Sequence, residues 1–145
     1  MSTATGSLMV PAHPRVLRRM LTPRRYRDPE YAETIAAELY GGRARDHPTD
    51  VRRLMHDQSR VGSRRGYWLQ LLAGAGWSSL PGLPFIRQPT LILAGEDDPI
   101  IPLANARIMR RLLPDAELHI YADGHLGLVT SAGDLAPRIA RFLRS

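Results

Sequence analysis

Between residues 89 and 130 the pattern of apolar and polar positions changes period twice. Residues 90–94, Thr-Leu-Ile-Leu-Ala, are a short apolar run bounded by Pro89 and Gly95, which predicts a buried parallel strand. Across residues 103–113, Leu103, Ala106, Met109, Leu112 and Leu113 fall on one helical stripe, and Pro114 stops it. Leu118 and Ile120 then alternate with Glu117, His119 and Tyr121, predicting a second strand nearer the sheet edge. Two parallel strands joined by a helix put both following loops at the carboxyl end of the sheet. Open α/β sheets bind ligands there. Asp98 lies in the first loop and His125 in the second.

The chain ahead of this unit reads as helical. Residues 15–21 suit two turns, and Asp28-Pro29 is an acidic cap followed by proline at the first helical position. The helix it opens turns Ala32, Ile35, Ala36 and Leu39 inward and ends at Gly41-Gly42. A third helix is expected over about residues 50–60, with Val51, Leu54 and Met55 apolar, and a fourth over about residues 65–73, with Tyr67, Trp68, Leu71 and Leu72 apolar. Residues 74–84 read as loop. Tyr26, Tyr31, Tyr40, Tyr67, Trp68 and Trp77 fall in this block. Most of them are expected to fill a small helical core. Trp68 and Trp77, flanking Gly74 and Gly76, are the candidates to line an apolar cleft facing the acidic and histidine loops. At the other end, residues 132–144 predict a helix with Leu135, Ile139, Phe142 and Leu143 buried, opened by a capping box of Ser131 and Asp134.

Composition narrows the function classes. With 145 residues the chain is one domain's worth and can bury a core. It has no cysteine, which excludes disulfides, thiolate metal sites and cysteine nucleophiles and fits a reducing compartment. No cofactor or metal is expected. Residues 66–86 carry no charge, but Gly74, Gly76, Pro81, Gly82 and Pro84 break them, so no transmembrane segment is expected. Nor does a charged region followed by an apolar one open the sequence as a secretory signal would. All 20 basic residues are arginine. Residues 14–65 hold 13 Arg against 7 Asp+Glu, while residues 86–145 hold 7 of each, so the net +6 belongs to the first half. Without a zinc-finger spacing, an aromatic RNA-binding pattern or a phosphate loop, that charge reads as a solvated helical surface rather than a nucleic-acid site.

An Asp and a His in adjacent βα loops have the order and scale of the second and third members of a Ser-His-Asp arrangement, in the order Ser, Asp, His used by one hydrolase fold, although on spacing alone such a pair is more often two ordinary loop residues. Glu96 and Asp97 compete with Asp98, which is favoured by its deeper place in the loop and by Pro99 after it. Residues 95–102, Gly-Glu-Asp-Asp-Pro-Ile-Ile-Pro, resemble the acid loop of α/β-hydrolases, and Asp123-Gly124-His125 resembles their histidine loop. The likeness is closer still to intracellular medium-chain-length poly(3-hydroxyalkanoate) depolymerases. Met9-Val10-Pro11, Thr22-Pro23-Arg24-Arg25-Tyr26, Leu39-Tyr40-Gly41-Gly42, Tyr67-Trp68-Leu69-Gln70-Leu71 and Gly76-Trp77 resemble their cap phrases.

The resemblance implies a partial α/β-hydrolase fold: the last two parallel strands and their helices, preceded by a helical lid. Residues 1–10 would follow a missing core strand, residues 11–85 would be the lid, and residues 86–145 the C-terminal part of the core. It implies Asp98 and His125 as catalytic residues and a 3-hydroxyacyl polyester or other acyl ester as substrate; Trp68 and Trp77, from their place beside Gly74 and Gly76, remain the substrate-binding candidates. The implied location is cytoplasmic, at polyester granules. The sequence departs from the family in one large respect. It contains no Gly-x-Ser-x-Gly; the nearest string, Gly76-Trp77-Ser78-Ser79-Leu80, lacks the final glycine. The expectation is therefore an acid and a histidine without their nucleophile, inactive alone. The chain would be poorly folded, self-associated or paired with a polypeptide supplying the missing strands. A non-catalytic module that uses the basic lid on a granule or an anionic partner, and a remnant with no function of its own, are the alternatives.

Overall fold

A computed structural model describes residues 5–49, 51 and 63–145. In chain order it holds α1 (Pro14–Met20), α2 (Pro29–Tyr40), α3 (Arg64–Gly74), β1 (Thr90–Gly95), α4 (Leu103–Leu112), β2 (Ala116–Tyr121), a single turn α5 (Gly127–Thr130) and α6 (Ala132–Phe142). Short 3-10 helices cover Pro23–Tyr26, Gly42–Ala44 and Leu80–Phe85. The helix expected near residues 50–60 lies almost wholly outside the described residues; Val51 is buried.

β1 and β2 pair in parallel with Thr90 opposite Ala116 and Gly95 opposite Tyr121. They make a two-stranded sheet among the described residues. α4 crosses over them, and Ala106, Leu113, Ala116, Ile92 and Ala94 are buried together with Leu83. Local chemistry sets these ends. Proline stands at both ends of α4, and Arg110 and Arg111 in its last turn suit the negative end of the helix dipole. Asn105, 1% exposed, uses its side chain on both main-chain groups of Val10, which ties the segment before α1 onto α4.

The second core belongs to the helical block but is completed from outside it. Val16 of α1 and Ile35, Ala36, Leu39 and Tyr40 of α2 enclose Ile100, and Ile101 and Leu126 pack against the same cluster. Ile100 and Ile101 come from the loop after β1, and Leu126 from the loop after β2. Burying a side chain the size of Ile100 contributes about 1.5–3 kcal/mol, so the two loops are seated by hydrophobic plugs.

Several expectations fail locally. Ser131 does not cap α6, because its hydroxyl donates to Asp123 instead. Leu143 falls one residue past α6 and is 77% exposed. Ile120 turns outward while Tyr121 is buried, so the inward positions of β2 are not the alternate ones expected at its end. Residues 80–85 are helical rather than loop. α3 forms as expected, capped by the Ser63 hydroxyl, but Trp68, Leu71 and Leu72 are all exposed. Of the aromatics in the helical block, Tyr40 is buried and Tyr31 and Tyr67 are half-buried, while Trp68 and Trp77, the cleft candidates, are exposed.

Candidate active site

Asp98 follows β1 by three residues, just past the turn at residues 96–97, and precedes Pro99. Its side chain is 1% exposed. Oδ1 accepts the backbone N–H groups of Ile100, at 2.9 Å, and Ile101, at 2.8 Å. Those two bonds hold the carboxylate in one orientation and leave Oδ2 facing the next loop. There the His125 Nδ1 lies 3.0 Å from Oδ2 and 3.2 Å from Oδ1. A carboxylate can only accept, so in the neutral imidazole this contact places the proton on Nδ1 and leaves Nε2 unprotonated. The His125 side chain is 23% exposed, and the Tyr40 ring stacks on it at 6.4 Å between centroids and 25° between planes.

The competing acids are placed elsewhere. Glu96 is exposed. Asp97 is exposed too and forms a two-pronged pair with Arg45, Nε to Oδ2 at 2.9 Å and an Nη to Oδ1 at 2.8 Å. With both side chains about half exposed, that pair contributes roughly 0–1 kcal/mol. Asp97 Oδ2 also accepts the Gly42 N–H at 2.8 Å, so it fastens the acid loop to the helical block.

The histidine loop holds a second buried carboxylate that the sequence did not single out. Asp123 is 3% exposed. Burial pushes its carboxyl up, but hydrogen bonds from the Ser131 and Thr130 hydroxyls and the Arg43 and Gly124 N–H groups outweigh burial and hold it below the ordinary carboxylate value. Tyr121 beside it is shifted up, first by burial and then by the charges of Asp98 and Asp123. The sequence marks Asp123 only as the first residue of the Asp-Gly-His string and gives it no role of its own.

An apolar groove of about 310 Å³ lies along β1 and has Asp98 among its lining residues; Trp77, Leu83, Ile86, Ile101 and Met109 contribute to its walls. Trp77 is thus on the groove. Trp68 is not among its lining residues and meets Tyr67 edge-on, 6.2 Å between centroids. Among the described residues no three His, Asp or Glu side chains cluster as a metal would require, and no helix is long and apolar enough to cross a membrane.

Residues 59–132 match a family model described as alpha/beta hydrolase fold. Over 143 residues the chain is 47% identical to a poly(3-hydroxyalkanoate) depolymerase of Ectopseudomonas oleovorans, covering 99% of this chain and 50% of that protein. The chain therefore spans about half the length of this relative. Among solved structures, an esterase from Exiguobacterium antarcticum superposes with a TM-score of 0.68 at 19% identity, over 90% of this chain and 47% of that one. A thermophilic esterase from Thermogutta terrifontis gives 0.63 at 22% identity, over 92% and 52%. At these identities the two structures speak for the fold.

Proposed function

The chain belongs to the alpha/beta hydrolase family, and on that premise we propose that it carries the acid and the histidine of a serine ester hydrolase. Its substrate is a 3-hydroxyacyl polyester or a related acyl ester, as the name of the depolymerase relative suggests. The serine comes from polypeptide outside these 145 residues, covalently continuous or separate, because the sequence holds no Gly-x-Ser-x-Gly. Alone, the chain is inactive.

The observation that carries this reading is the contact of His125 Nδ1 with buried Asp98 Oδ2 at 3.0 Å. With the Nδ1 proton committed to Asp98, Nε2 is the basic nitrogen. It takes the serine proton as the hydroxyl attacks the ester carbonyl, and the imidazolium so formed is stabilised by the Asp98 carboxylate. The same proton goes to the departing alkoxide, leaving an acyl-enzyme. Water, deprotonated by His125, then releases the acid and restores the serine. Both oxyanion donors of this fold come from segments outside the chain as well. Residues 11–85 act as the lid over the site and residues 86–145 as the last part of the core, with residues 1–10 leading in from a neighbouring strand. Trp77 borders the acyl path along the groove, and Trp68, exposed on α3, offers substrate a second aromatic surface from the lid. The site of action is the cytoplasmic granule of polyester.

Co-expression with a polypeptide bearing the Gly-x-Ser-x-Gly turn and the preceding strands tests the reading. Ester hydrolysis should appear in the pair and disappear with Asp98→Ala or His125→Ala. Hydrolysis indifferent to both substitutions would end it.

A second reading takes its support from Arg15, Arg18 and Arg19, which converge on one depression with Tyr31 and Glu38. In that case the basic helical block binds a granule or another anionic surface without catalysis. Salt-sensitive retention on granules, unchanged by Asp98→Ala or His125→Ala, would favour it.

A further inference from the structure

Asp123 is buried and fully hydrogen-bonded, yet the reaction above gives it nothing to do. Oδ1 accepts the N–H of Gly124 at 2.7 Å and of Arg43 at 2.9 Å. Oδ2 accepts the hydroxyls of Thr130 and Ser131, each at 2.6 Å. The bond to Gly124 is local, to the next residue in the chain. The other three reach residues 80, 7 and 8 positions away in sequence. The main-chain oxygen of Asp123 also accepts the N–H of Asp97 at 3.1 Å, immediately before the acid Asp98. One residue is therefore bonded to the acid loop, to the helical block at residue 43 and to the turn that follows the histidine.

The backbone around it leaves no slack. The N–H of His125 donates to the Tyr40 carbonyl at 2.8 Å. Gly41 and Gly42 have φ of +61° and +49°, which lets residues 40–43 double back onto the histidine loop. A Cβ on Gly42 would overlap the Gly124 nitrogen and Asp123 Oδ1, and one on Gly124 would overlap the Tyr40 carbonyl oxygen. At Gly42 and Gly124 the two segments lie backbone on backbone, with the Asp123 carboxylate seated between them.

We propose that Asp123 is a positioning residue for His125, fastening the histidine loop to residues 40–43 so that the imidazole meets Asp98. The proposal rests on the reading of Asp98 and His125 as a working acid–histidine pair. A carboxylate suits the task because all four of its partners donate, and an ionised carboxylate needs nothing but donors. The helical block is then no free flap at this point: displacing residues 40–43 displaces the histidine. Since a misplacement of about 1 Å can cost on the order of a hundredfold in rate, such a strap makes the seat of the helical block a condition for catalysis.

The test reads the His125 tautomer directly, by long-range proton–nitrogen correlation spectra of the nitrogen-15-labelled 145-residue chain, with His125→Ala assigning the signal. Wild type should show the Nδ1–H form and Asp98→Ala should lose it. Asp123→Ala should also lose it, Asp123→Asn should largely restore it through the retained Oδ1 acceptor, and Glu117→Gln on the exposed side of β2 should leave it unchanged. Gly42→Ala, which pushes the strap off the loop, should lose it as well and covers the case in which Asp123→Ala does not fold. A wild-type tautomer in folded Asp123→Ala and Gly42→Ala, or loss of the whole fold in both, would reduce Asp123 to a structural residue and overturn the proposal. An Nδ1–H signal that survives Asp98→Ala would instead count against the acid–histidine pair itself.

Discussion

His125 Nδ1 stands 3.0 Å from Asp98 Oδ2, although 27 residues of chain separate them. One strand–helix–strand crossover closes that distance, because parallel pairing puts the ends of β1 and β2, Gly95 and Tyr121, side by side. The loops leaving those ends need only be held. Ile100, Ile101 and Leu126 hold them by packing into the helical block, and Asp97 and Asp123 hold them by hydrogen bonds to residues 42 and 43.

Of the two neighbouring aspartates only one faces the histidine, and substitution should separate them. In the reconstituted pair of polypeptides, Asp98→Ala should lower kcat/KM by about 10⁴-fold, the scale of a lost triad carboxylate. Asp97→Ala, which removes an exposed ion pair and one backbone contact, should cost far less. Steady-state kinetics on both variants check this ordering; equal losses would contradict the assignment of Asp98.

Gly124 allows the Tyr40 carbonyl to lie directly against the histidine loop. Gly124→Ala forces that contact apart and should destabilise the chain by about 1–3 kcal/mol, the usual cost of overpacking. Urea unfolding followed by tryptophan fluorescence measures it. Gly74→Ala, where nothing lies within 4 Å of the added carbon, is the matched control and should not lose stability.

The Asp123 carboxyl is held below its ordinary value of 3.8 in the folded chain. A depressed value means the native state favours the ionised form, so its stabilisation is complete above 3.8 and is lost as pH falls through the lower folded value. The stability difference between wild type and Asp123→Asn should accordingly be constant near neutral pH and shrink in strong acid. Urea midpoints for both chains across the acid range check the sign.

β1 has one paired edge among the described residues, and an apolar groove runs along it. An open edge beside apolar surface invites another strand. Sedimentation velocity of the isolated chain should show concentration-dependent association, reduced when the complementing polypeptide is added. A monomer at every concentration with one cooperative thermal transition would contradict the need for added strands.

Much of this site was legible in the sequence, and the rest was hidden for definite reasons. The apolar run at residues 90–94 and the stripe of α4 reported local periodicity, which is enough to deliver Asp98 and His125 to one end of a sheet. Asp123 was missed because its meaning depends on donors that sequence order scatters: the N–H of Arg43 and the hydroxyls of Thr130 and Ser131. Ser131 was read as a helix cap for the same reason, since a hydroxyl ahead of a helix can satisfy a distant carboxylate instead. Gly41-Gly42 was read as a helix stop. It is one, but its positive φ values also fold the chain onto both loops, a contact no local pattern records. The apolar residues of α3 show that periodicity marks which face is apolar, while burial depends on what is there to cover it.

The most direct measurement is hydrolysis of p-nitrophenyl octanoate by the isolated chain, by its His125→Ala variant, and by each of them with the polypeptide that supplies the Gly-x-Ser-x-Gly turn. The expected result is background turnover for both isolated chains and turnover in the wild-type pair that His125→Ala abolishes. Turnover by the isolated wild-type chain that His125→Ala removes would contradict the central claim, because the nucleophile would then lie within these 145 residues.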